Sequence, residues 1–86
     1  KKAEEALKWG ITHKDVTGNL HRYLTYLFHN SKTVNNIRIY HRKVYLFRRL
    51  PNGENILVTI LHLPSHLYEI ADKVQRRKKE EIERAE

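Results

Sequence analysis

The stretch NNIRIYHRKVYLFRRLPNGENILVTILHLP, residues 35–64, decides the fold because its apolar residues recur at every second position. Ile37, Ile39, Val44 and Leu46 alternate with Arg38, Tyr40, Tyr45 and Phe47, and a polar turn around residues 41–43 splits the run into two strands. Pro51-Asn52-Gly53-Glu54 reads as a hairpin turn, since Asn and Gly tolerate the positive φ angles of a tight reversal. The next run, ILVTILHL (56–63), is almost wholly apolar, as expected of a central or doubly covered strand, and Pro64 ends it. Three antiparallel strands over residues 35–63 follow from these signals.

Outward from the sheet the period changes. Leu20, Tyr23, Leu24, Leu27 and Phe28 fall at helical spacing, so residues 19–30 form a core helix with Asn19 as its cap. Residues 1–9 favour a helix with Ala3, Ala6 and Leu7 on one side and Gly10 as its stop. It starts without a capping residue or an initiator Met, as the end of a longer helix would. Residues 11–18 read as a connection with one helical turn begun at Thr12. Ser65 is the expected cap of the last helix, whose stripe of Leu67, Ile70, Ala71 and Val74 fades after Gln75, so that 76–86 should project into solvent or meet a partner. The expectation is a single α+β domain over 1–86: two N-terminal helices, a three-stranded antiparallel sheet and a C-terminal helix, the helices covering one face of the sheet.

A chain of 86 residues and 10.4 kDa holds one small core. It has no cysteine, which removes disulfides, thiolate metal sites and cysteine nucleophiles and points to a reducing compartment, the cytoplasm. No apolar run reaches the roughly 18 residues of a membrane span. Seventeen Lys and Arg against ten Asp and Glu leave a formal charge of +7, and most of the surplus lies in residues 31–63, with six basic groups against one acidic. The run Arg76-Arg77-Lys78-Lys79 is balanced by Glu80, Glu81 and Glu83 one turn away and reads as a solvated helix face.

If the isoleucines of the strands point to the helices, alternation sets Arg38, Tyr40, Lys43, Tyr45, Phe47, Arg49 and Thr59 on the other face. Such a face offers rings for stacking on unpaired bases and cations for phosphates, so RNA or single-stranded nucleic acid is the expected partner, with Arg42 added from the turn. The same pattern also arises where Tyr and Phe merely favour strands over a wet sheet face, or where Tyr and Arg anchor a protein. The six histidines lack metal-ligand spacing: His62 and His66 are separated by Pro64, and His21 and His29 lie two helical turns apart. No metal or cofactor is expected. His62, at the end of the third strand, is the candidate acid or base.

Helices followed by an antiparallel sheet bearing Arg, Lys and Tyr over residues 19–63 resemble the RelE-type toxins and the wider barnase, EndoU, colicin and RelE-like group of small endoribonucleases. That resemblance implies RNA binding on the sheet and metal-independent attack by the ribose 2′-hydroxyl, with Arg38, Tyr45 and His62 as catalytic candidates beside Arg42 and Arg49, and an antitoxin as partner. The strings TGNLHRYLTYLF (17–28), NNIRIYHRKVYLF (35–47) and ILVTILHLP (56–64) are also similar to small proteins of bacteriophages and mobile elements in Firmicutes. Two functions follow: a toxin-like RNA-binding domain, either ribonuclease or binder, or a phage-encoded inhibitor of the anti-CRISPR type that occupies a ribonucleoprotein without catalysis. A third is a dimerisation module whose charged last helix pairs with a second copy.

Overall fold

In a computed structural model, residues 2–85 are described; Lys1 and Glu86, the outer ends of the two terminal helices expected from sequence, lie outside them. The protein is α+β, in the order α1 (Lys2–Trp9), a 3-10 turn (His13–Asp15), α2 (Gly18–His29), β1 (Asn36–Tyr40), β2 (Lys43–Arg49), β3 (Asn55–His62), a second 3-10 turn (Ser65–Leu67) and α3 (Tyr68–Ala85). The strands form an antiparallel meander in the order β1, β2, β3. Among the described residues no helix is long and apolar enough to cross a membrane.

Both hairpins form where the turn residues lie. Leu50 N donates to Glu54 O at 2.8 Å and Gly53 adopts φ +91°, closing the Pro51 to Glu54 loop. The first hairpin turns on His41 and Arg42, whose φ angles of 48° and 64° suit a tight two-residue reversal but are strained for side chains other than Gly or Asn. Contacts on one side hold it: Arg42 makes an ion pair with Asp72 at 2.8 Å and lies 4.5 Å over the Tyr68 ring, and Arg42 O accepts Leu63 N.

The sheet is covered on both faces over β1 and β2, which corrects the one-sided layering expected from sequence. On one side Ile37, Ile39, Val44 and Leu46 pack with Leu20, Leu24 and Leu27 of α2 and with Leu67 and Ala71 from the α3 side. On the other, Tyr45 and Phe47 form a smaller core with Ala6 of α1, bordered by Ala3, Leu7 and Tyr40. The small side chains of α1 let the helix lie close to the rings. Val44, Tyr45, Leu46 and Phe47 are in consequence four consecutive buried residues, the signature of a strand covered twice.

The run at 56–63 departs from expectation in the opposite sense. It forms an edge strand, not a central one, and Ile56, Leu57, Val58, Ile60 and Leu61 are each 38–49% exposed. Leu63, just beyond β3, is the residue of this run that reaches the core.

The helical ends differ in detail from the sequence reading. Thr12 does begin a turn, through a capping box in which its hydroxyl accepts Lys14 N while Asp15 accepts Thr12 N at 2.8 Å. Asn19 lies inside α2, which follows Thr17 and begins at Gly18, φ +64°. Ser65 opens the 3-10 turn, not α3 itself. The segment after Gln75 stays helical and its first turn docks on the N-terminal segment: Gln75 Nε2 donates to Trp9 O at 2.6 Å, and Lys78 Nζ donates to Gly10 O at 2.5 Å and to Asp15 Oδ2 at 2.8 Å.

Burial alone would raise the Asp15 pKa, but the hydrogen bonds and charge of Lys78 with the bonds from Thr12 hold it below the ordinary carboxylate range. A group whose folded pKa is depressed stabilises the protein above its unfolded value and loses that contribution as pH falls through the folded one. Asp15→Asn is therefore expected to cost about 1–2 kcal/mol at neutral pH and to flatten the fall in stability as the pH drops through and below the ordinary carboxylate range. Urea midpoints across that range, compared with the parent, check it.

Candidate nucleic-acid interface

The bridge between Ile11 and Ile39 sets the geometry of the site. Ile11 N donates to Ile39 O at 2.7 Å and Ile39 N to Ile11 O at 2.9 Å, so the segment after α1 runs along the outer edge of β1. This brings His13 and Lys14 beside Arg38. At the far end of β2, Asn35 clamps the backbone of Arg49 with its side-chain amide, donating to Arg49 O at 3.0 Å and accepting Arg49 N. Phe28, in the last turn of α2, closes the side, with the His13 ring edge-on at 5.6 Å.

The result is a cleft of about 280 Å³ lined by Thr12, His13, Lys14, Phe28, Asn35, Asn36, Arg38 and Arg49. Three cations converge there, and among the described residues no Asp or Glu lines it. Burial pushes the Arg38 pKa down, and the charge of Asp15 opposes that shift more than Arg49 adds to it. Arg38 Nε is buried without a hydrogen-bond partner. An anion entering the cleft would offer acceptors to the donors gathered there.

The residues singled out from sequence are dispersed by the fold. Arg38 and Arg49 share the cleft. Tyr40 and Lys43 lie further along, near Lys2 and Glu5 of α1, where the Tyr40 ring meets His41 at 4.1 Å. Arg42 points to α3 and Asp72. Tyr45 and Phe47 are 2% and 1% exposed, their rings 6.5 Å apart under α1, so neither offers a surface for a base. This corrects the expected open aromatic face: the rings alternate away from Ile37 and Ile39 as predicted, but a helix covers them, and the register of β3 sets Ile60 on their face and Thr59 on the other, the reverse of the expectation for both. His62 is exposed at the end of β3, opposite Lys43. Two strand spacings and two residues of rise separate its Cα from that of Arg38 by roughly 12 Å, with buried Tyr45 between their strands. Arg38, Tyr45 and His62 therefore do not form one open site.

Sequence reasoning missed His13, Lys14, Phe28 and Asn35. The first two lie in a segment read as a connection, and only their place beside a helical turn begun by Thr12 hinted at a fixed position. Among the described residues no three His, Asp or Glu side chains converge as a metal site would require. No protein-family model, curated protein or solved structure matches the chain.

Proposed function

We propose that this protein binds RNA or another single-stranded nucleic acid through the cleft of Lys14, Arg38 and Arg49. The observation that carries this reading is the convergence of three cations, with His13 and Phe28, on a concavity free of carboxylates among the described residues. Arg and Lys contribute phosphate contacts, while the Phe28 and His13 rings at the rim suit an unpaired base. The net charge of +7 adds long-range attraction. Burial of Tyr45 favours a binder over a RelE-like nuclease. A cytoplasmic setting accords with the absence of cysteine.

The test is a titration of labelled single-stranded RNA and duplex DNA by fluorescence anisotropy at several salt concentrations, with gel analysis for cleavage. Single strands should bind more tightly than duplex, with log K falling by about 0.7 per log unit of salt for each phosphate contacted. Arg49→Glu reverses a charge at an exposed position and should weaken binding at least about tenfold while reducing the slope. A flat salt response, or Arg49→Glu binding like the parent, removes the reading. Metal-independent cleavage would restore the nuclease instead.

A further inference from the structure

β3 carries the largest unexplained feature of the surface. Five of the seven large apolar side chains that are exposed among the described residues lie on this one strand. From Asn55 to Leu61 it has no charged residue and no proline, two of the devices that protect a free edge. Its sequence is that of a central strand, yet its outer edge has no partner among the described residues. We propose that a second copy of this chain pairs with it, β3 against β3 in antiparallel fashion about a two-fold axis, giving a six-stranded sheet in which both β3 strands become central.

Three observations select a second copy. The opposite edge of the sheet is occupied by the Ile11 bridge, so extension at β3 closes at two chains instead of growing into a fibre. Two copies carrying +7 each repel one another, and β3, uncharged from Asn55 to Leu61, is the strip where that repulsion opposes contact least.

The third observation is the register. Leu46 stands opposite Thr59 and Phe47 opposite Leu57, which leaves Val58 as a bulge. Facing pairs in a ladder share a face, so Leu57 and Ile60 lie on the α1 side with Phe47 and Tyr45, while Ile56 and Leu61 lie on the other with Arg48 and Val44. A two-fold axis between Val58 and Thr59 sets Leu57 opposite Ile60 and Ile56 opposite Leu61 of the second copy. Every one of these pairs is apolar and matched in face, which an unbulged strand could not achieve in this register. Edge pairing covers the outer backbone of β3 and the flanks of these side chains that face the second copy.

Sedimentation of the full chain over about a hundredfold range of concentration tests this. The expected mass rises from 10.4 kDa to twice that value and no further. Ile60→Lys, at an exposed position, should keep the circular dichroism of the parent and weaken dimerisation at least about 100-fold. Because the chain has no cysteine, Leu57→Cys/Ile60→Cys reports the register by forming a covalent dimer on mild oxidation, whereas Ile56→Cys/Ile60→Cys should not. A parent that stays at 10.4 kDa, assemblies larger than two, an Ile60→Lys variant of parental mass, or equal cross-linking of both cysteine pairs would overturn the proposal. Arg49→Glu should leave the mass unchanged, so failure here and failure of nucleic-acid binding are separate outcomes.

Discussion

Phe47→Ala is expected to lose about 3–5 kcal/mol, a large part of what a domain of this size possesses. The ring is 1% exposed, stacked on Tyr45 and sealed by Ala6, so truncation leaves a cavity that neither β2 nor α1 can close without moving backbone. A urea titration followed by tryptophan fluorescence measures the loss, since Trp9 ends α1 and senses its release from the sheet. The same variant decides between two roles for the ring. Under buffer conditions where it remains folded, it should bind nucleic acid like the parent, because the ring faces α1 and not a ligand. A variant of parental stability that fails to bind would instead return Phe47 to the surface and restore the aromatic face.

Gly10→Ala is expected to be the second most damaging change, at about 1–3 kcal/mol. A Cβ at Gly10 would overlap the carbonyl oxygen of Ala6 and come within 2.9 Å of Arg38 Cβ. Neither is the end of a flexible side chain, so α1 must move from β1 or the bridge between Ile11 and Ile39 must open. Either movement widens the wall of the cleft beside Arg38. The variant should show a lower urea midpoint, faster amide exchange at Ile11 and Ile39, and weaker nucleic-acid binding even when fully folded. Parental exchange at those two amides would show that the close approach is not needed.

The elements themselves were legible in the chain because each is encoded locally. Period-two alternation in residues 35–49, the Asn52-Gly53 turn and the stripe of Leu20, Leu24 and Leu27 require no knowledge of distant residues. The cleft was half legible. Arg38 and Arg49 stand out in a basic segment, but His13 and Lys14 reach them through a backbone bridge spanning 28 positions of sequence, which no local pattern encodes.

What the sequence by itself determined is therefore an α+β meander, its turns and a positive middle third, since propensity, periodicity and charge act within a few residues. Tertiary structure alone decided that α1 crosses to the second face and buries Tyr45 and Phe47, and that ILVTILHL stands at an edge while VYLF lies at the centre. Two apolar runs that look alike in sequence differ only in what is packed beside them, and burial is a property of the whole assembly of elements.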